Sequence, residues 1–149
     1  MRSLGLDLGD KRIGVALSDE TATLASGLPT LARVGPRKDV KAVAELVRAH
    51  DAGEVVVGLP RRLDGTVGPQ AEKALAFMKD LRGALRVPVL ACDERLTTVA
   101  AEEILIERGV SRRDRKGMVD TVAAVIILQD YLDARKRGEV QAQARGSTA

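Results

Sequence analysis

Three acidic residues occupy positions where a carboxylate calls for an explanation. Asp7 interrupts Leu4-Gly5-Leu6-Asp7-Leu8-Gly9, a segment in which every second residue is leucine, the alternation of a strand with one buried face. A carboxylate in such a strand is costly to desolvate without a cation, a hydrogen-bond network or an open groove beside it. Gly5 and Gly9 flank it with bare backbone, which lets a large ligand approach closely. The plainer alternative is a solvated aspartate on an edge strand. Glu94 falls just past an apolar run at 87–92, where parallel sheets gather their ligand-binding groups. Asp93 competes with it for that role, because strand neighbours point oppositely, and an exposed Asp93-Glu94-Arg95 ion pair would also account for both acids. Asp120 stands at the head of the apolar segment 119–128. A helix dipole favours an acid in the first turn, so capping alone would explain it.

Taken together the three acids suggest more. A strand centre, a strand end and the head of a buried helix can meet at one crevice, and three converging carboxylates repel one another unless a divalent cation neutralises them. Oxygen-only ligands suit Mg²⁺ or Mn²⁺. His50 is the only histidine and Cys92 the only cysteine, so an imidazole or thiolate metal cluster is excluded. Two such ions about 3.5–4 Å apart activate a water molecule and stabilise the leaving oxygen of a phosphodiester. Cations gather at Arg33-Arg37-Lys38, Arg61-Arg62, 108–116 and 135–137, as a polyanionic partner such as nucleic acid requires; solvated helix ends would look similar. Phe77 and Tyr131 are the only aromatics, so contact through phosphates is expected rather than stacking on bases.

The elements that would position these residues follow from periodicity. The pattern predicts a hairpin from strands at 2–8 and 13–17, a third strand at 24–31 broken at Gly27 and ended near Pro29, and a helix at 39–49. A buried strand at 54–59, a loop at 60–68 and a helix at 69–81 come next. A strand at 87–92, a helix from Thr97 or Thr98 to Glu107, a basic loop at 108–117 and a helix at 119–135 complete the order. This β-β-β-α-β-α-β-α-α order implies a mixed five-stranded sheet with helices on both faces. With 149 residues, 45% hydrophobic and 30% charged, the chain is the size of one domain, expected over 1–137, with a disordered polar tail at 138–149. The net charge is +3 and the pI near 9.3. No run approaches a membrane-spanning length and no apolar leader precedes Asp7, so a cytoplasmic protein without a membrane partner is expected. No segment reads as a clear dimer face, which points to a monomer or weak homodimer.

Four segments, LDLGDKRIGVALSD (6–19), VVVGLPRRLDGTVG (55–68), DERLTTVAAEEIL (93–105) and KGMVDTVAAVIIL (116–128), resemble in this order and spacing the YqgF/RuvX family. That family comprises bacterial pre-16S rRNA nucleases, also described as Holliday-junction-resolvase-like, and the similarity runs from about 4 to 131. It implies a ribonuclease H-like α/β fold and a metal-dependent nuclease that matures the 5′ end of 16S rRNA, with the small-subunit precursor as partner. The family's acids map onto Asp7, Glu94 and Asp120, as catalytic residues and metal ligands. Lys11 and Arg12 match its basic hairpin turn, Arg95 follows the motif glutamate, and Lys116-Gly117 match the run before the last aspartate; these cations are assigned to substrate phosphates. Arg61 and Arg62, on the Gly-Leu-Pro loop, are further candidates, the loop's glycines being read as structural. Cys92 stands where relatives carry histidine and Met118 where lysine is frequent, which weakens any proton-transfer role at the first and trims the basic run at the second.

Three rivals remain. Asp7-x-Gly9 on a hairpin also opens actin-like ATPases and sugar kinases, but those need a second domain and a second phosphate loop. A Holliday-junction resolvase acting on branched DNA requires paired active sites in a dimer. A non-catalytic nucleic-acid-binding module in ribosome assembly is the third.

Overall fold

The computed structural model of this chain describes residues 1–60, 68–94 and 97–138, except for the side chains of Glu94, Thr97, Thr98, Val99 and Lys116. The elements are β1 (Arg2–Leu8), β2 (Arg12–Ser18), β3 (Ala25–Ala32), α1 (Pro36–Ala49), β4 (Ala52–Pro60), α2 (Pro69–Ala84), β5 (Val89–Glu94), α3 (Thr97–Glu107) and α4 (Arg112–Lys136). The strands form one sheet in the order β3-β2-β1-β4-β5. β1 runs antiparallel to β2 and parallel to β4, β2 antiparallel to β3, and β4 parallel to β5. The expected mixed five-stranded sheet is present, and β1 lies at its centre. An edge-strand explanation of Asp7 therefore fails.

Strand alternation divides the core into two. On one face Leu4, Leu6 and Leu8 of β1 join Val55 and Val57 of β4, Val43 and Val47 of α1, and Ala74, Phe77, Met78 and Leu81 of α2. On the other, Ala16, Val56 and Leu90 pack under Ala124, Ile127, Leu128, Tyr131 and Leu132 of α4. Both sides of β4 are buried, which is why Val55-Val56-Val57 reads as a continuous apolar run. The proline openings of α1 and α2 sit in their first turns, where the missing N–H has no intrahelical partner in any case.

Several boundaries shift by two or three residues, among them the start of α1 at Pro36 and the end of α2 at Ala84, and three differences have a specific physical reason. β3 continues through Pro29 to Ala32, which an edge strand allows because a proline there loses no obligatory ladder bond. β5 extends to Glu94 rather than stopping at Cys92. Residues 112–117 are the opening turns of α4, not a basic loop: the Ser111 hydroxyl accepts from the Asp114 N–H at 3.3 Å and donates to its Oδ2 at 3.0 Å. That cap moves the helix start seven residues upstream of 119 and leaves Asp120 in the third turn, so the capping explanation of Asp120 fails as well.

Glycines set how α4 meets the sheet. A side chain at Gly5 would come within 2.7 Å of Leu128 Cβ, one at Gly27 within 2.5 Å of Thr121 Cγ2, and one at Gly58 would collide with Ile127; at Gly14 it would run into the backbone carbonyl of Asp120 itself. Helix side chains thus rest on bare strand backbone at β1, β3 and β4, and at Gly14 of β2 the helix backbone itself closes on the strand. The bare backbone beside Asp7 admits a helix on the Gly5 side rather than a ligand, which corrects the expectation drawn from the sequence. At the far end of α4, buried Glu54 accepts from Ser3 Oγ (2.6 Å), Tyr131 OH (3.2 Å) and Arg135 (2.7 Å), fixing the helix along its axis.

Gly14→Ala is therefore expected to lower stability by roughly 3 kcal/mol, since the obstruction is backbone that cannot rotate away. Gly83→Ala in α2, where a methyl group meets nothing within 4 Å, is expected to gain about 0.5–1 kcal/mol. Urea denaturation of both variants reads the difference; equal midpoints would show that α4 can lift off the sheet freely.

Candidate active site

Asp7 sits at the C-terminal end of the central strand, opposite Gly14 in the β1–β2 pairing. Because position 14 has no side chain, α4 drops onto the sheet there and brings Asp120 over the same place. The space at Gly9 confirms the approach, for a Cβ there would lie 3.1 Å from Asp120 Oδ1. Two carboxylates separated by 113 residues in sequence are thus neighbours, and both are partly buried.

Their electrostatics follow from that arrangement. Burial, and then repulsion from Asp120, raise the Asp7 pKa from 3.8 to about 7. Burial likewise raises Asp120; the Arg12 guanidinium opposes the rise and Asp10 adds to it. Desolvation thus leads for both acids, with like charge second for Asp7. An arrangement that resists ionisation in this way suits a divalent cation, and two carboxylates of hard oxygen are the donor set Mg²⁺ or Mn²⁺ prefers. The residues present therefore fit such an ion.

The remaining candidates fall into two groups. Lys11 is exposed in the β1–β2 turn and Arg12 is half-buried at the start of β2, where its charge reaches Asp120. Glu94 ends β5 with its backbone in register with Pro60, two residues beyond Cys92, but its side chain lies outside the described residues. The same holds for Arg61, Arg62, Arg95, the side chain of Lys116 and the tail beyond Gly138. Asp93, the rival to Glu94, is exposed and pairs with Leu59. Among the described residues no group of three or more His, Cys, Asp or Glu side chains comes close enough to hold a metal ion; the described part of the site is the Asp7–Asp120 pair.

Two contributors were not singled out from the sequence. Asp10 acts on Asp120 and accepts from Gln70 Nε2 at 3.2 Å, tying the turn to the start of α2; its only signal was a second acid three positions after Asp7. Arg33 donates to the Gly9 carbonyl at 2.8 Å. Nothing in the sequence around Arg33 announced that contact.

A family profile described as "RuvX: Holliday junction resolvase" matches residues 1–134. A protein of Caldanaerobacter subterraneus subsp. tengcongensis named "Putative pre-16S rRNA nuclease" is 52% identical over 137 residues, covering 91% of this chain and 99% of its own. One of the same name from Thermoanaerobacter pseudethanolicus is 46% identical over 137 residues with the same coverage. Among solved structures, T. thermophilus RuvC in complex with a Holliday junction substrate superposes with a TM-score of 0.57 at 18% identity, covering 93% of this chain and 98% of that one. At that identity the likeness is one of fold, and the fold is ribonuclease H-like.

The raised Asp7 pKa makes stability depend on pH in a definite direction. Below pH 3.8 folded and unfolded chains both hold the proton, and the contribution is complete. As pH rises from 3.8 to about 7 the unfolded chain releases its proton first, and that stability is lost. The metal-free protein should therefore lose on the order of a few kcal/mol over this window. Asp7→Asn should abolish most of that loss, so that at pH 8 it melts above wild type, and Mn²⁺ should raise the wild-type melting temperature more than the variant's. Thermal denaturation at pH 5 and pH 8 with and without Mn²⁺ measures this; a variant melting below wild type at pH 8 would contradict it.

Proposed function

The chain belongs to the RuvX family, and from that premise we propose that it is a metal-dependent nuclease that hydrolyses phosphodiester bonds in the precursor of 16S rRNA, maturing its 5′ end. The observation that carries the reading is the meeting of Asp7 and Asp120 across the contact between β1 and α4. The names of its relatives at 46% and 52% identity support the substrate.

Asp7, Asp120 and Glu94 are the proposed metal ligands and catalytic residues. Glu94 is included because β5 reaches residue 94, at the carboxyl ends of the parallel strands where such sheets gather their ligand-binding groups. Bound there, Mg²⁺ or Mn²⁺ would supply Lewis-acid activation of a water molecule and of the phosphodiester. The chain's own part is to hold its carboxylates at fixed spacing on rigid elements, and to keep them in a partly dry site where their charge acts strongly. Lys11 and Arg12 bind substrate phosphates beside the acids, and Arg61, Arg62, Arg95 and Lys116 extend that contact along the backbone. Phosphate contact of this kind gives affinity and orientation with little sequence reading, so the ribosomal precursor particle, rather than a base sequence, selects the cut. No described helix is long and apolar enough to cross a membrane; the proposed setting is the cytoplasm, where rRNA matures, and the proposed state is a monomer or weak homodimer.

The family description favours a second reading, resolution of branched DNA. Symmetrical nicks on a four-way junction need two active sites in one dimer, so a stable dimer that cuts junctions ahead of RNA would establish it.

Digestion of a 16S rRNA precursor with Mg²⁺ or Mn²⁺ tests the proposal. Asp7→Asn and Asp120→Asn should each slow cleavage by roughly 10³-fold or more, the equivalent of several kcal/mol of lost transition-state stabilisation. RNA binding should hold or tighten, since a neutralised carboxylate no longer repels phosphate, and chelation by EDTA should stop cleavage by the wild type. If either variant cuts at the wild-type rate while remaining folded, that acid is structural and the catalytic reading of the pair falls; a wild type that binds the precursor without cutting it would make the protein a binding module.

A further inference from the structure

The turn at 9–12 carries Asp10, Lys11 and Arg12 and sets Gly9 against Asp120. It is closed by a backbone bond from the Gly9 N–H to the Arg12 carbonyl at 2.9 Å. A short polar turn at the surface frays readily unless contacts from outside also hold it.

Gln70 holds the Asp10 side chain from α2, and Arg33 holds the turn's backbone. The backbone N–H of Arg33 donates to the Lys11 carbonyl at 3.0 Å, and its guanidinium donates to the Gly9 carbonyl at 2.8 Å. Arg33 thus grips two of the turn's carbonyls, one from the backbone and one from the side chain. Its Nε lies 3.7 Å from Oδ2 of Asp39, which is 3% exposed in the first turn of α1. The Asp39 carboxylate is itself fixed: its Oδ1 accepts from the Val34 N–H at 2.9 Å and the Gly35 N–H at 3.4 Å. A planar guanidinium can serve a carboxylate and a carbonyl at once in fixed directions, which an ammonium cannot. The strut runs from α1 through Asp39 and Arg33 to Gly9, whose bare Cα faces the carboxylate of Asp120 across the space a side chain would fill.

We propose that Arg33, held by Asp39, is a positioning residue that locks the 9–12 turn against Asp120 and so fixes the spacing of the catalytic acids. The kinetic half of this inference rests on the nuclease reading of that site; the structural half does not.

The experiment uses the full chain. Amide hydrogen exchange across 9–12, measured without substrate or metal, is compared for wild type, Arg33→Lys and Arg33→Ala, together with kcat and KM on precursor RNA at a temperature where all are folded. Arg33→Ala should speed exchange at Gly9 by at least about 10-fold and lower kcat by roughly 10- to 100-fold, as a displacement near 1 Å at reacting groups does. KM should move less than about threefold, and Arg33→Lys should fall between. The double variant Arg33→Ala/Asp39→Asn, which leaves no unpaired buried carboxylate, serves if Arg33→Ala does not fold. Unchanged exchange with weakened RNA binding would overturn the proposal in favour of a direct phosphate contact, and faster exchange with unchanged kcat would reduce the strut to a stabilising role. Asp7→Asn run in parallel separates the two levels: if it cuts at the wild-type rate the site reading falls, while the exchange data still judge the strut.

Discussion

Helix α4 rests on the sheet where four strands carry no side chain, at Gly5, Gly14, Gly27 and Gly58. A helix normally stands about 10 Å off a sheet because two layers of side chains separate them. Here the second layer is missing along one track, and the contact is tightest at Gly14, under the carbonyl of Asp120. Everything at the site follows from that approach. Asp120 descends to the level of Asp7, both carboxylates lose water, and each resists ionisation. A methyl group at one of these positions would hold the helix away and separate the acids.

A cost accompanies this arrangement. Like charges in a partly dry setting oppose folding, and the chain offsets it by securing α4 elsewhere. The buried Glu54, with Ser3, Tyr131 and Arg135 around it, fixes the C-terminal end of the helix, and Gln129 ties its middle to the edge strand by accepting from the Ala25 N–H and donating to the Thr23 carbonyl. The apolar face through Ile127, Leu128 and Leu132 adds burial between these anchors. An acid pair that opposes folding is therefore held by a scaffold with buried polar contacts at the other end of the sheet.

Local pattern revealed much of this. Alternating leucines in β1, the valine run of β4 and the prolines opening α1 and α2 each reflect burial or backbone geometry within a few residues, and the element order and mixed sheet could be read from them. The errors have physical causes of their own. Residues 112–117 read as a loop because Gly117 and a cluster of cations weaken the helical pattern, whereas the Ser111 cap and the long apolar continuation carry the helix through them. β3 read as ending at Pro29 because proline breaks a central strand, and only its place at the edge excuses it.

What the sequence determined by itself is the kind of residue and the kind of element: an acid in a leucine strand, an acid at the head of an apolar segment, glycines set among strand residues, and four motifs characteristic of one family. Which of those meet was decided by tertiary structure. The glycines beside Asp7 looked like an opening for a ligand and instead receive a helix, since an absent side chain specifies only that something comes close and not what. Asp10 and Arg33 entered the site through contacts spanning 60 and 24 residues, which no local pattern specifies. Side-chain periodicity records which way a residue faces; the partner across the gap is fixed by how rigid layers stack, and stacking is a property of the whole chain.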